Sequence, residues 1–185
     1  MARDSEATKR KLLAAAVAEF ADYGISGARI DRIAERAGAN KRMLYAYYGN
    51  KEQLFETVIG LSLTQFTSTI PLDPGRLPEY AGELFDYLVR HPDRRRLALW
   101  RLLERPQASA LELASAAGKL SALSRARPHD TALSPNSLLI FVIAIAFAWP
   151  NATDPQRDPQ PTEVDDQRAN VVEAVRRLVI SVPTA

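Results

Sequence analysis

The chain has no cysteine and only two histidines among its 185 residues, His91 and His129. Without thiols, neither a disulfide nor a thiolate metal site can hold the fold together. The two histidines stand far apart in the sequence and lack the spacing of metal ligands, so a zinc or iron site is not expected. The sequence therefore predicts no bound metal and no other cofactor.

Recognisable catalytic motifs are also missing. The sequence contains no nucleophile-and-base pair, no glycine-rich phosphate loop and no paired carboxylates in a familiar frame. No segment alternates apolar and polar residues with the period of a β-strand. These absences predict an all-α protein that is not an enzyme.

Long hydrophobic runs are scarce. The least polar stretch, Leu138–Trp149, has 12 residues, whereas a membrane-spanning helix needs about 20. The first residues, Met1-Ala-Arg-Asp-Ser, lack the apolar centre of a secretory signal. We therefore expect a cytoplasmic protein with no membrane partner, in which the apolar run is a helix buried by its own subunit or by a second one.

The charge of the chain is small overall but uneven. The net charge is +2, yet residues 1–51 carry 10 Lys or Arg against 6 Asp or Glu, a balance of +4. The remaining residues carry 14 against 16, a balance of −2. A positive end favours a partner that presents phosphates to that end only.

The first quarter of the chain has the pattern of a helix-turn-helix. Apolar residues at helical spacing predict four helices: Ser5–Tyr23 with Ser5 as N-cap and Gly24 as its end, Arg29–Ala37, Lys41–Tyr48, and Lys51 to about Ile70. Gly38 supplies the positive φ that a tight turn needs, and Asn50 is a good N-cap. Such a turn between two short helices places the second helix in the major groove of DNA.

The rest of the chain is also predicted to be helical. Its helices are expected at Glu79–Arg90, Asp93–Arg105, Ala108–Ala126, Leu138–Trp149 and Val164–Val182. Three prolines in Pro71–Pro78 interrupt the chain, Arg127–Pro135 is expected to be a loop, and Asn151–Pro161 a mobile polar linker.

The first 55 or so residues resemble the TetR family of bacterial transcription regulators. The similarity lies in Thr8–Gly24, in Ile33–Gly38, and above all in Leu44-Tyr45-Ala-Tyr47-Tyr48-Gly-Asn-Lys51-Glu52-Gln-Leu54. This last stretch, Leu-Tyr-x-Tyr-aromatic-x-x-Lys-Glu-x-Leu, is a highly specific signature.

The resemblance implies a fold and a way of working. The fold would be a three-helix DNA-binding domain, residues 1–50, followed by a larger helical domain, residues 51–185, that binds an effector and dimerises. The partners would be a double-stranded DNA operator, a small-molecule effector and a second copy of the chain, paired through helices near 137–149 and 164–182. The function would be that of a repressor that the effector releases from an inverted-repeat operator. The alternative is a DNA-binding regulator whose C-terminal domain only dimerises or binds a protein partner.

DNA-contacting residues are expected on and around the second helix of the motif. The start of that helix points towards base edges. The resemblance implies that Tyr45, Tyr47 and Lys51, which match family positions, hold the DNA backbone, and Arg29 at the start of the preceding helix is a further candidate for a phosphate contact. The candidates are Arg29, Asn40, Lys41, Arg42, Met43, Tyr45, Tyr47 and Lys51. Tyr48 is expected in the core, because it shares a face with Leu44. Many relatives carry a small pair of residues in place of Arg42 and Met43, so the operator sequence cannot be borrowed from them.

Effector-binding residues are sought among aromatic and buried polar side chains of the second part. The candidates are Phe66, Tyr87, Trp100, Arg101 and Phe141. Aromatic residues at helical spacing are more often plain core, and an internal salt bridge with Glu104 is an equal alternative for Arg101.

Overall fold

The computed structural model describes residues 2–127, 133–152 and 160–179. Over these ranges the chain is helical and has no strand, which confirms the all-α prediction. The helices are α1 (Ala2–Gly27), α2 (Ile30–Ala37), α3 (Lys41–Tyr48), α4 (Lys51–Thr69), α5 (Leu77–Arg90), α6 (Pro92–Glu104), α7 (Ala110–Ala126), α8 (Pro135–Ala152) and α9 (Pro161–Val179).

The chain forms two compact units. The first contains residues 1–66 and 91–112, and the second contains residues 67–90 and 113–185. The functional division expected after residue 50 stays a prediction.

The first unit is built around α1, which packs against α2, α3 and α6. Its core includes Leu12, Phe20, Ile33, Leu44 and Phe55, all fully buried. The rings of Phe20 and Phe55 meet edge to face, with centroids 5.1 Å apart. The buried face of α1 therefore holds the two short helices and the start of α4 in one cluster.

The second unit is built around α5, which packs against α8 and α9. Phe85 lies beside Trp149 of α8, with ring centroids 5.6 Å apart, and Asp86 pairs with Arg168 of α9 at 2.9 Å. A Cβ on Gly82 would lie 2.9 Å from Val172. A glycine at this position is therefore what lets α9 approach α5 closely.

The apolar run of the sequence belongs to a longer helix than predicted. With 18 residues and a mean hydropathy of 1.5, α8 could cross a membrane by length and composition alone. In the structure it packs against α5 and α9, and Leu138, Leu139, Val142 and Ala146 are buried. Only 28% of this apolar window is buried, so the second unit covers one face of α8 and leaves apolar side chains such as Ile140 and Phe141 exposed.

The structure corrects the ends of several predicted helices. Because α1 already begins at Ala2, Ser5 is not its N-cap, and the Ser5 hydroxyl instead lies 3.2 Å from that of Tyr47. Gly24 interrupts α1 without ending it, since helical turns continue to Gly27. Proline in a first helical turn loses no hydrogen bond, and α5 and α9 accordingly begin before their predicted starts and include Pro78 and Pro161.

Smaller differences affect the remaining helix ends. The helix α6 spans Pro92–Glu104, one residue earlier than predicted at each end, and α7 begins two residues later than predicted. The predicted loop 127–135, the linker 151–161 and the end of the last helix fall largely on residues 128–132, 153–159 and 180–185, which lie outside the described residues.

Candidate nucleic-acid interface

The turn between α2 and α3 has the geometry that the sequence predicts. Gly38 adopts φ 63° and ψ 34°, in the left-handed region. The Ala39 N–H donates to the Ala34 carbonyl at 2.9 Å, and the Gly38 N–H donates to the Glu35 carbonyl at 3.0 Å. This pair of bonds satisfies the last carbonyls of α2 and reverses the chain sharply into α3.

Asn40 is the N-cap of α3. Its Oδ1 accepts a hydrogen bond from the Met43 N–H at 2.9 Å. An N-cap of this kind stabilises a helix by roughly 1 kcal/mol and fixes where the helix begins. Because its carbonyl oxygen is engaged, Asn40 could offer an adenine only its amide NH₂ unless the cap opens.

The exposed side of α3 carries Arg42 and Tyr45. Both side chains are exposed, Tyr45 by 49%, and neither has a hydrogen-bond or ion-pair partner among the described residues. Lys41, also exposed, forms an ion pair with Asp31 of α2, and Met43 is half-buried. A guanidinium can donate two bonds to guanine, and a tyrosine hydroxyl can donate to phosphate.

Tyr47 and Tyr48 lie between α3 and the start of α1. The Tyr48 hydroxyl donates to the Lys9 carbonyl at 3.0 Å, and desolvation by burial raises the pKa of Tyr48. The Lys9 ammonium lies 5.4 Å from the centre of the Tyr47 ring, and the Ser5 hydroxyl lies beside the Tyr47 hydroxyl. Both tyrosines therefore anchor α3 to α1, and Tyr47 keeps only part of its surface for another partner.

Arg29 lies in the turn that leads into α2, and Lys51 of α4 contacts the same turn. The Lys51 ammonium donates to the Ala28 carbonyl at 3.3 Å. Arg29 is the N-cap residue of α2 and has an exposed side chain, but it makes no side-chain cap. Its backbone N–H instead donates to Glu19 at 2.8 Å.

Glu19 and Arg32 are important residues that the sequence reasoning missed. Glu19 is only 1% exposed, and its Oε1 accepts from the Arg32 Nε at 2.7 Å as well as from the Arg29 N–H. Arg32 also donates to the Gly27 carbonyl and lies over the Tyr23 ring. The sequence contains a signal for the buried carboxylate. Glu19 falls on the apolar face of α1 at helical spacing from Ala16 and Leu12, where a charge needs a partner.

The five effector candidates do not share one environment. In the first unit, Trp100 donates from Nε1 to the Ala21 carbonyl at 3.2 Å, while Phe66 is half-buried. Arg101, 9% exposed, forms a salt bridge with Glu112 at 2.7 Å. In the second unit, Tyr87 is buried but Phe141 is 43% exposed. Arg101 therefore forms an internal salt bridge, which the sequence analysis gave as the alternative to a role in effector binding. Its partner is Glu112 and not Glu104.

A depression in the second unit lies away from these candidates. It is shallow and partly open to solvent, and its lining residues are Leu123, Arg127, Leu133, Pro135 and Leu138. Arg127 also donates to the Val179 carbonyl of α9 at 3.0 Å. None of the five predicted effector residues lines this depression.

Two family models match the chain. The model of bacterial regulatory proteins of the tetR family matches residues 12–58, and that of the tetracyclin repressor-like C-terminal domain matches residues 76–177, more than half of the chain. The chain belongs to the TetR family. Regulators of this family bind operator DNA and form dimers, and they are not enzymes.

Individual relatives agree with this assignment. The HTH-type transcriptional repressor SCO4008 of Streptomyces coelicolor is 48% identical over 103 residues, which are 56% of this chain and 54% of that protein. The chain thus spans about half the length of the curated relatives it matches. The solved structure of SCO4942 from Streptomyces coelicolor, a candidate transcriptional regulator, is 38% identical with a TM-score of 0.81, covering 92% of this chain and 97% of its own.

A more distant structure shares the fold alone. AibR, solved in complex with isovaleryl coenzyme A and operator DNA, is 14% identical to this chain with a TM-score of 0.70. The similarity covers 91% of this chain and 97% of the AibR chain.

Proposed function

We propose that this TetR-family chain is a sequence-specific, DNA-binding transcriptional regulator in the cytoplasm, and that it acts as a repressor. The observation that carries the proposal is α3, which is capped by Asn40, anchored to α1 by Tyr47 and Tyr48, and exposes Arg42 and Tyr45. A helix that is held rigidly and presents an unpaired cation is suited to the major groove.

The remaining candidates would divide between base and phosphate contacts. Base edges would be contacted by Lys41, Arg42 and Met43. For this, Lys41 would leave its ion pair with Asp31 and bind DNA instead. Arg29, Tyr45, Tyr47 and Lys51 would contact phosphates, where charge and hydroxyl groups position the protein without reading sequence. Asn40 would contribute mainly by fixing the start of α3.

The subunit would pair with a second copy through α8 and α9. Supporting this, Ile140 and Phe141 of α8 are 53% and 43% exposed although the opposite face of the helix packs against α5 and α9. Apolar side chains that remain exposed on a core helix favour burial by a partner. Such a dimer would bind an inverted repeat with half-sites separated by roughly one helical turn of DNA or more.

A small effector would release the operator. The fold is compatible with binding both kinds of partner, because AibR has been solved in complex with isovaleryl coenzyme A and operator DNA. The alternative, a C-terminal unit that only dimerises or binds a protein partner, is favoured by one observation. Trp100 and Arg101 are engaged by other residues of their own unit, and Phe141 is exposed.

Selection of bound sequences from a random DNA pool at physiological salt tests the proposal. We expect the purified protein to enrich an inverted repeat. The enriched operator then allows effectors to be screened by the release of protein from labelled DNA. If no sequence is enriched in several salt concentrations, the assignment of α3 as a reading helix is wrong.

A further inference from the structure

The break in α1 at Gly24 is repaired by side chains of α6. Gly24 has φ 65° and ψ −175°, outside the helical region. In an unbroken helix, the Ile25 N–H would donate to the Ala21 carbonyl. Here the Ala21 carbonyl accepts from the Trp100 Nε1 at 3.2 Å, and the Ile25 N–H donates to the Glu104 carboxylate. Both backbone groups at the break thus have partners on α6.

Glu104 holds more than one backbone group. Its carboxylate also accepts from the Ser26 N–H at 3.2 Å. The N–H groups of Ile25 and Ser26 open the short helical segment after the break, where backbone N–H groups have no helical acceptor and attract an anion. Glu104 therefore serves as an N-cap for this segment, although it is 79 residues away in the sequence.

One face of α6 supplies all of these contacts. Arg96, Trp100 and Glu104 follow one another at intervals of four residues, which places them on the same side of the helix. Arg96 adds an ion pair with Asp22 at 2.9 Å and a hydrogen bond to the Ala21 carbonyl at 3.3 Å. The contacts form a row along the end of α1.

Gly24 makes this close approach possible. A Cβ at this position would lie 2.7 Å from the Glu104 Oε2 and 2.8 Å from the Trp100 ring. The position therefore needs glycine both for its positive φ and for the space that α6 occupies.

The segment that Glu104 caps leads directly into the helix-turn-helix. The Gly27 carbonyl accepts from Arg32, the Ala28 carbonyl accepts from Lys51, and the Arg29 N–H donates to Glu19. These partners all belong to α1, α2 and α4. From α6, Glu104 adds the hydrogen bonds to the Ile25 and Ser26 N–H groups, just before the same turn.

We propose that Glu104 is a positioning residue for DNA binding. It fixes the α1–α2 turn and thereby the positions of α2 and α3 against α1. The inference rests on the proposed function. For a substitution that removes the Glu104 charge, the inference predicts a change in DNA affinity opposite to the one expected from electrostatics alone. Removing a negative charge strengthens the attraction of a protein to DNA, whereas loss of this cap loosens the turn and weakens operator binding.

Two substitutions at Glu104 test the role. Glu104→Ala removes both acceptors, and we expect it to bind the selected operator roughly tenfold more weakly, the equivalent of one lost interaction of about 1.4 kcal/mol. Glu104→Gln keeps one acceptor oxygen and should fall between Glu104→Ala and the wild type. The slope of log Kd against log salt should not change, because no phosphate contact is lost.

Glu83→Gln and Glu83→Ala are the matched controls. Glu83 is an exposed carboxylate on α5, in the second unit, so these variants make the same charge changes and should bind the operator as the wild type does. If the Glu104 variants bind as tightly as the wild type or more tightly, the positioning role is overturned.

Amide hydrogen exchange gives a readout that does not depend on DNA. We expect the Ile25 and Ser26 amides to exchange at least about tenfold faster in Glu104→Gln, while those of Ala16 and Phe20 stay protected. Trp100→Phe, which keeps a ring but removes the donor to Ala21, should behave similarly. Unchanged exchange at Ile25 and Ser26 contradicts the cap. A wild-type protein that selects no operator overturns the proposed function instead, so the two failures are distinguishable.

Discussion

Single side chains decide how the turn before α2 is held. The buried carboxylate of Glu19 accepts hydrogen bonds from the Arg29 backbone and from the Arg32 guanidinium, which would otherwise be unpaired at the start of α2. Hydrogen bonds to charged groups contribute about 1.5–3 kcal/mol each when both partners are held in place. The first helix of the motif is therefore fixed by a side chain of α1, where a cap of its own is absent.

Another residue-scale feature is the hydroxyl of Tyr80. Tyr80 is 2% exposed, and its hydroxyl has no hydrogen-bond partner among the described residues. Desolvation by burial raises the pKa of Tyr80 to about 12, above the ordinary value for tyrosine. A buried hydroxyl without a partner costs about 1–3 kcal/mol of stability.

Tyr80→Phe should therefore stabilise the protein by about 1 kcal/mol at neutral pH. It should also remove a pH dependence. Because the folded-state pKa of Tyr80 lies above the unfolded one, the free energy of unfolding of the wild type is unaffected by this group below about pH 10 and falls as the pH rises to about 12, by an amount on the order of 3 kcal/mol.

Urea unfolding from pH 8 to 11 measures both effects. Tyr45→Phe is the control, because the Tyr45 side chain is exposed. If Tyr80→Phe is less stable than the wild type at pH 8, its hydroxyl has a partner in solution and the interpretation is wrong.

At the scale of single elements, α1 combines a long helix with a break at Gly24. The break is compatible with the fold because α6 provides partners for the backbone groups on both sides. The short helices α2 and α3 depend on similar local devices, the left-handed Gly38 and the capping Asn40. Helices of eight residues are marginal in isolation, so these devices and the packing against α1 are what stabilise them.

Gly24→Ala tests the break directly. The alanine would need a left-handed φ and space that Trp100 and Glu104 occupy, so we expect a loss of about 1–3 kcal/mol in the free energy of unfolding. Gly118→Ala, in the exposed middle of α7, would place its new Cβ more than 4 Å from every described atom outside its chain neighbours and the nearby backbone of its own helix. It should instead stabilise the protein by about 0.5–1 kcal/mol. Equal effects of the two substitutions in thermal unfolding would contradict this account of Gly24.

A further prediction concerns base reading by Arg42 of α3, the proposed recognition helix. Arg42→Ala should lower the preference for one base pair in each half-site by about 1–3 kcal/mol, because an arginine that binds guanine discriminates against other bases. Arg36→Ala, on the exposed side of α2, removes the same charge and serves as the control. Binding to operator variants at each position measures the preference. A uniform loss over all sequences would mean that Arg42 contacts phosphate and reads no base.

At the scale of the whole molecule, the chain places a surplus of positive charge in residues 1–51, which contain the helix-turn-helix, and its most apolar helix in the second unit. The charge favours attraction to phosphates, and the apolar helix favours association with a second copy. Family regulators dimerise, and an inverted repeat requires two reading helices related by a two-fold axis.

If α8 pairs with a second copy as proposed, Phe141→Asp should convert the dimer into monomers. A charge placed in the buried centre of an interface loses its hydration without gaining a partner, which costs several kcal/mol. Leu103→Asp makes a comparable change at a leucine of α6 that is 74% exposed, and it should leave the dimer intact. Sedimentation velocity over a range of concentrations distinguishes the two. Persistence of the Phe141→Asp dimer would mean that pairing does not use this face of α8.

The sequence by itself determined the all-α class, the family and the positions of α2 and α3. These depend on local signals, such as the glycine at position 38, the cap Asn50, and the spacing of apolar residues. A capping bond or a left-handed turn joins residues within four positions of each other, so it can be read along the chain.

Only the tertiary structure decided which distant side chains hold the helix-turn-helix in place. The bonds from Glu104 to Ile25 and from Trp100 to Ala21 each join residues 79 positions apart. Helical periodicity predicts that a side chain lies on a buried face, but not which distant element packs there. The roles of Glu104 and Trp100 therefore depend on how α6 packs against α1, which only the folded chain defines.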